Sequence, residues 1–339
     1  MSEQPTSTRR VVVIGGGVSG LAAAHRLSTR AATSSQQLEV LLLEASPRTG
    51  GTVRTQRREG FLLEAGPDSF ISEKPEAVAL AKEIGLESHL IGTNDTHRRA
   101  FIVRDGRLRP VPEGFQLLAP SRLLPFMTSS IVSLRGKARI ALEIFLPRRA
   151  EDGADESLAA FVRRRFGREA LERIAQPLVG GIYTADPEQL SLRATMPRFI
   201  EMERASGSVT RAMLKARRAA SKRASNGAPG SDHSRGTSGA RYSLFLTFDG
   251  GMQVLTDRLA ALLPHEALRV NTRVEAISFD EAARVWRLRV GSNEVVTADA
   301  LCLALPAYAS AELLRATDDA LASELDAIPY ASTATVNLA

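Results

Sequence analysis

One cysteine, Cys302, stands in a chain of 339 residues, so an intrachain disulfide and any CxxC redox or zinc motif are excluded. The sequence around it, ALCLALP, is apolar and strand-like, and Cys302 reads as a small core side chain of the kind the reducing cytosol keeps as a thiol. Aromatic residues make up 5% of the chain, with a single tryptophan, too sparse for the stacking platforms of nucleic-acid binders. Long hydrophobic runs are missing as well. No segment reaches the roughly 18 to 20 apolar residues a membrane-spanning helix requires. Arg9 and Arg10 before VVVIGGGVSGLAAA have the outline of a secretory signal, but four glycines interrupt the run and no cleavage region follows. Ser19 lies among glycines without completing GxSxG. No triad, metal-binding cluster or paired-carboxylate motif is recognisable.

What is present begins with a hydrophobic content of 44%, enough over this length for one large domain or two ordinary ones. Lys and Arg number 44 against 38 Asp and Glu. Such a balance suits nucleic acid, an anionic membrane surface or an acidic substrate, and charge alone does not choose among them.

The apolar pattern predicts a strand over Val11 to Ile14, a helix from Val18 to about Arg30 and a second strand over Leu38 to Leu43, a βαβ order that implies a parallel sheet covered by helices. From about residue 95 to 215 the character changes. A hairpin, Phe101 to Val111 with its turn at Asp105-Gly106, leads into Leu-, Arg- and Ala-rich helical segments, among them Ser157 to Arg173 and Arg204 to Arg218. Residues 221 to 240 have almost nothing to bury and read as a surface loop or disordered insertion. Order returns with the strand YSLFLTF, then Asp249-Gly250-Gly251, the helix MQVLTDRLAALL, and strands at Ala267 to Phe279, Arg284 to Val290 and Ala300 to Leu305. Ser332 to Ala339 reads as the start of a further strand.

Chemistry enters at Gly15-Gly16-Gly17-Val18-Ser19-Gly20, a GxGxxG between a strand and a helix. Gly15 permits the tight turn, Gly17 lets the backbone approach a pyrophosphate, and Gly20 lets the helix lie close to the strand. The unpartnered amides and positive dipole of the helix start would hold the anion. Alone the spacing also fits a glycine-rich turn without a ligand. Here the expected acid follows at the end of the second strand as Glu44, placed to accept hydrogen bonds from ribose hydroxyls; the competing reading is a solvated loop carboxylate. After it come Ala45, Arg48, Gly50, Gly51, Thr52 and Arg54. The glycine doublet would bring backbone amides to a diphosphate, with Arg48 and Arg54 as compensating cations or, in the plainer reading, surface arginines beside a turn.

The run from Glu44 to Thr55 resembles the acid, arginine and glycine-doublet segment of the amine-oxidase and desaturase flavoproteins, and Gly60 to Phe70 extends the match. Two later segments, LVGGIYTADPEQLS at Leu178 to Ser191 and LTFDGGMQVL at Leu246 to Leu255, resemble the protoporphyrinogen oxidases, a family that includes the coproporphyrinogen oxidases. The resemblance runs from about Arg10 to Ala339. It implies an α/β fold: a Rossmann-type FAD-binding domain of the glutathione-reductase kind, with an inserted, mostly helical domain and a mixed-sheet substrate domain. The implied division is 1–94 and 243–283 for FAD binding, 95–215 for a helical substrate and membrane-associating domain, 216–242 for a flexible loop, and 284–339 for substrate-domain strands with a return to the FAD domain.

The same resemblance implies that FAD lies along Gly66, Pro67, Asp68 and Ser69 and that the amide of Val274 contacts its adenine. It implies a porphyrinogen losing six electrons in three two-electron steps, with dioxygen reoxidising the flavin to give hydrogen peroxide; the cofactor carries the chemistry. Gly180 and Gly181 read from the residues as a helix end and turn, and from the resemblance as small residues that let a flat macrocycle approach. Arg98 and Arg99 are candidate partners for its propionates, or solvated arginines. Further expectations are a cytoplasmic protein in peripheral contact with anionic lipid, a homodimer, and hand-over to the next haem-pathway enzyme. An amine oxidase or carotenoid desaturase is the alternative within the superfamily; a non-catalytic FAD-binding chain is the alternative outside it. Members of the family continue beyond the position of Ala339 with a segment that closes on the flavin, so weak flavin retention and little oxidase activity are expected of 339 residues alone.

Overall fold

The computed structural model describes residues 8–33, 37–72, 74–94, 100–111, 115–116, 119–120, 123–150, 153–225, 245–291 and 294–338. The chain divides into two compact units, residues 1–91 with 246–339, and residues 92–245.

In the first unit the glycine loop hangs between strand Arg9–Ile14 and helix Val18–Thr33. The strand pairs in parallel with Leu38–Leu43 on one side and Ala300–Leu303 on the other, and Leu268–Arg269 adds a fourth strand at the edge. Near-continuous Val and Leu is what a parallel sheet covered on both faces demands. Alternate residues serve opposite faces: Val13, Val40 and Leu42 pack with Leu21 and Ala24 of the helix, whereas Val12, Ile14, Leu41 and Leu43 pack with Ile277, Leu288 and Val296. The second group comes from an antiparallel meander, Val274–Asp280, Val285–Val290 and Glu294–Ala298. Cys302 is partly buried on its strand beside the first of these cores.

Two expectations change in this unit. The stretch from Ala267 to Phe279 is two strands, because Asn271 takes a left-handed conformation (φ 53°) and Asn271 and Thr272 donate their amides to the carbonyls of Ser46 and Glu44. That bend is what sets Val274 beside the end of the second strand. The strands between residues 284 and 303 lie on the same core as the glycine-loop strand. Residues 332–338 form no strand and are exposed throughout, for within the described residues no strand edge pairs with their backbone.

The second unit is mostly helical. Its core gathers Phe161, Phe166, Ile174 and Phe199, and serine side chains cap helices, Ser133 before Leu134–Ala141, Ser157 before Leu158–Phe166, Ser191 before Leu192–Thr195 and Ser208 before Val209–Ser225. The expected helix over Ser157 to Arg173 is broken at Gly167 (φ 92°), and that over Arg204 to Arg218 at Gly207 (φ 70°), each glycine ending one helix at an angle that an L side chain resists. The second helix then runs from Val209 to Ser225, past the expected loop boundary at residue 221; residues 226–240 lie outside the described residues. The hairpin forms as expected, with Asp105 (φ 51°) and Gly106 (φ 68°) making the two-residue left-handed turn between Phe101–Arg104 and Arg107–Pro110.

The most unusual packing here is ionic. Arg165, fully buried, holds the carboxylate of buried Glu143, which also accepts from the Ser208 hydroxyl at 2.6 Å and the amides of Val209 and Thr210 at 3.0 and 3.1 Å. Glu143 therefore caps the helix that begins at Val209. Burial pushes its pKa up, but the bonds from Ser208, Thr210 and Arg165 and the charge of Arg165 outweigh that and hold it below the ordinary carboxylate value.

Candidate functional site: a glycine-lined cradle at the end of a parallel sheet

Each glycine of the loop has a separate steric reason. Gly15 has φ 109°, and a Cβ there would sit 2.5 Å from the Ala304 carbonyl oxygen. A Cβ on Gly20 would sit 1.8 Å from the Gly15 carbonyl oxygen, so helix and loop approach as only glycine allows. Gly17 differs. A Cβ built on it meets nothing within 4 Å, which leaves its open side to whatever approaches the helix start. Gly16, outside the GxGxxG triplet, is required by the acid: a Cβ on it would lie 2.9 Å from the Glu44 side chain.

Glu44 is half-buried. Its two carboxylate oxygens accept the amides of Gly16 at 2.5 Å and Ser46 at 2.8 Å, which fixes the side chain against the loop while each oxygen keeps a lone pair for a further donor. Val18 and Ser19 are exposed at the helix start, where the first amides of a helix lack internal partners.

The glycine doublet joins the same place. The amide of Gly50 donates to the Gly16 carbonyl at 2.7 Å, Gly17 and Gly50 form a parallel bridge, and a Cβ on Gly51 would lie 3.2 Å from the Gly17 Cα. The Arg48 guanidinium donates to the carbonyls of Thr49, Gly51 and Val53 at 3.0, 2.6 and 3.1 Å, holding the doublet's loop in shape. Arg54 is exposed. Thr52 packs on Gly66 so closely that a Cβ there would be 1.9 Å from the Thr52 carbonyl oxygen, and Pro67, Asp68 and Ser69 follow, the Ser69 hydroxyl donating to Asp68 at 2.8 Å.

Between the loop and the meander lies a cavity of about 190 Å³. Gly15, Glu44, Ala45 and Val274 line it, with apolar walls from Ile14, Leu43 and Leu305. Four residues chosen from distant stretches of sequence thus meet around one space. Gly180 and Gly181 are in the second unit, in the last turn of helix Gln176–Tyr183; the Gly180 carbonyl accepts the amide of Thr184, which ends the helix in the left-handed conformation (φ 50°) usually left to glycine. A Cβ on Gly180 would meet nothing within 4 Å. Arg98 and Arg99 lie outside the described residues.

A supporting network escaped sequence reasoning. The Glu64 carboxylate accepts the Met252 amide at 2.7 Å and the Thr55 hydroxyl at 2.8 Å; Thr55 in turn exchanges bonds with Gln253, at 3.0 Å in each direction. It ties hairpin Thr55–Arg58/Phe61–Glu64 to the start of helix Gln253–Ala261, and Gly251 (φ 92°) is glycine because a Cβ would strike Thr55 at 2.3 Å. The only hint in sequence was the DGGMQ turn, whose partners lie nearly 200 residues away.

A parallel sheet whose first turn carries GxGxxG, an acid at the end of the next strand and an open glycine at a helix start define a dinucleotide-binding protein. The family profile described as flavin containing amine oxidoreductase matches residues 18–339. The chain belongs to that family, and its cofactor is FAD. Among similar proteins are a coproporphyrinogen III oxidase of Propionibacterium freudenreichii subsp. freudenreichii, 38% identical with 97% of this chain and 63% of that one covered, and one of Bacillus subtilis (strain 168), 33% identical with 95% and 63% covered. A crystal structure described as "Putative protoporphyrinogen oxidase" from Exiguobacterium sp. 255-15 superimposes with a TM-score of 0.75 at 30% identity, over 95% of this chain and 64% of that one. The chain thus spans less than two thirds of the length of these relatives. Among the described residues no group of three or more His, Cys, Asp and Glu side chains could hold a metal ion, and no helix is long and apolar enough to cross a membrane.

Proposed function

We propose that this chain carries the FAD-binding and part of the substrate-binding machinery of a porphyrinogen oxidase, acting on coproporphyrinogen III or protoporphyrinogen IX. The observation that carries the reading is the meeting of Gly15, Glu44, Ala45 and Val274 on one cavity beside the open Gly17, in a chain whose relatives are named for porphyrinogens. When bound, FAD supplies a two-electron acceptor that dioxygen regenerates with release of hydrogen peroxide, so three rounds complete the six-electron oxidation. The protein binds and orients. Glu44 accepts from the ribose hydroxyls with the lone pairs its amide contacts leave free. Gly16, Gly17, Val18, Ser19, Gly20, Gly50, Gly51 and Thr52 present backbone to the diphosphate, and Arg54 supplies a nearby cation. Gly66 to Ser69 lie along the flavin, held in place by the Glu64 network. Gly180 and Gly181 leave room for a flat macrocycle, whose propionates call for cations such as Arg98 and Arg99.

Glu44→Ala is expected to weaken FAD binding by about 10- to 100-fold, the equivalent of roughly 1.5–3 kcal/mol for hydrogen bonds to a charged group. Flavin fluorescence titration measures it, and unchanged affinity contradicts the ribose contact. The reaction is tested by aerobic turnover of the two porphyrinogens against an amine and a carotenoid; preference for the amine overturns the substrate assignment.

A second reading, peripheral attachment to anionic lipid, is favoured by exposed apolar side chains of the helical unit. Leu134 and Phe145 are 79% and 80% exposed, Met127 and Leu142 more than half, and the Arg211 guanidinium donates to the carbonyl of Ile144, next to Phe145 in sequence. Exposed apolar side chains beside cations are the signature of interfacial binding, with roughly 1 kcal/mol per nearby Lys or Arg. Co-sedimentation with phosphatidylglycerol vesicles at low salt, reduced in Phe145→Ser, is the expected result. No pelleting at low salt removes this reading.

A further inference from the structure

The cavity that takes the adenosine end in the reading above has a third wall, helix Ala307–Leu314, which contributes Ala309, Glu312 and Leu313. Their i, i+3, i+4 spacing puts them on one face. Three of the lining residues carry carboxylates: Glu44 holds the Gly16 and Ser46 amides and is assigned above to the ribose, and Glu275 faces Arg273 at 3.9 Å. Glu312 has no hydrogen-bond or ion-pair partner among the described residues. The remaining walls, from Ile14, Leu43, Val274, Leu305, Ala309 and Leu313, are apolar and suit the faces of a flat ring.

An ionised carboxylate only accepts hydrogen bonds. Beside a slot for a purine it favours a base edge that presents a donor and repels one that presents a carbonyl oxygen. Adenine carries an exocyclic amine, with two N–H donors; hypoxanthine carries an oxygen at the same position. Arg273, the one cation in the lining, is already beside Glu275. We propose that Glu312 selects the base of the dinucleotide, accepting from the exocyclic amine of adenine and rejecting a purine that bears a carbonyl there. This rests on the FAD reading of the cavity.

The test compares two dinucleotides on the apoprotein by fluorescence titration, FAD and its analogue with hypoxanthine in place of adenine. The wild-type chain is expected to prefer FAD by about tenfold, the size of one hydrogen bond to a partly exposed charged group. Glu312→Ala is expected to bring the ratio close to one, mainly by weakening FAD. Glu312→Gln, whose amide offers both a donor and an acceptor, is expected to restore FAD binding and to improve binding of the hypoxanthine analogue. Because the side chain is exposed and unpartnered, neither variant should change the thermal melt, so a lost preference reports binding and not unfolding. If FAD binds and Glu312→Ala keeps the wild-type ratio, base selection by Glu312 is overturned while the FAD reading stands. If the wild type binds neither dinucleotide, the reading of the cavity fails first and the selection with it.

Discussion

Gly17→Ala is expected to give a protein that folds as the parent does and yet binds FAD at least about tenfold more weakly, whereas Gly20→Ala, three residues on, is expected to lose the fold of the first unit. The contrast follows from two distances. An added Cβ on Gly17 meets nothing within 4 Å, and the residue's contacts, the Leu21 amide accepted at 2.9 Å and the bridge to Gly50, are made by backbone alone, so alanine should cost less than about 1 kcal/mol. What it removes is the close approach of a pyrophosphate to bare backbone. On Gly20 the same methyl would stand 1.8 Å from the Gly15 carbonyl oxygen and 3.2 Å from the Ala304 Cβ. Both contacts are with rigid neighbours, so the helix must withdraw from the strand it covers; overpacking of this kind costs about 3 kcal/mol or more. Urea denaturation followed by circular dichroism, run beside flavin titration, separates the two effects. Equal stability losses in the two variants would contradict this account of the loop.

Glu143→Ala is expected to destabilise the helical unit by about 3–5 kcal/mol, the usual cost of leaving a buried charge without its partner. Arg165 would remain in the core with only the Glu203 carboxylate, at 3.5 Å, to face, and the amides of Val209 and Thr210 would lose their acceptor at a helix start. Glu143→Gln, which keeps an acceptor but not the charge, should lose less. The same network predicts a pH dependence. Glu143 is held below the ordinary carboxylate value of 4.5, against the effect of its burial, by Ser208, Thr210 and Arg165. Glu203 is held below it too, where bonds from Arg164 and the Arg149 amide and the charges of Arg164 and Arg165 outweigh burial. A carboxylate whose folded pKa is depressed contributes stability that is complete above its unfolded value and is lost as pH falls through the folded one. Wild-type stability should therefore hold from neutrality to about pH 5 and then decline, more steeply than in Glu143→Ala. Denaturation midpoints measured from pH 7 to pH 3 check this, and parallel profiles for the two proteins would contradict it.

The parts of the site that could be read beforehand are those whose determinants are local. GxGxxG between an apolar run and a helical pattern is defined by neighbours in the chain, and Glu44 needs only the register of the next strand. The loop-holding contacts of Arg48 and the steric demand on Gly16 were not legible because they depend on how one short loop folds back on another: Arg48 fits a diphosphate partner in sequence, and in space three carbonyls also lie within its reach. Long-range partners were invisible. Nothing in Thr55 or Glu64 announces Met252 and Gln253, and Arg165 stands in an Arg163-Arg164-Arg165 run that reads as a solvated face until Glu143, 22 residues earlier, is brought against it. Single residues in left-handed conformations caused the errors of element length. Gly167, Gly207 and Asn271 each interrupt a periodic pattern that continues on either side. Residues 332–338 have strand composition and no strand, since a strand exists only where a neighbour completes its hydrogen bonds.

The central claim, that Gly15, Gly17, Glu44 and Val274 form a cradle for the adenosine diphosphate half of FAD, is tested most directly by titrating the apoprotein with FAD and with FMN, which carries the same flavin ring without adenosine. The account predicts that FAD binds one per chain, that ADP competes with it, and that FMN does neither. Binding of FMN as tight as that of FAD, or FAD binding that ADP leaves untouched, would contradict it.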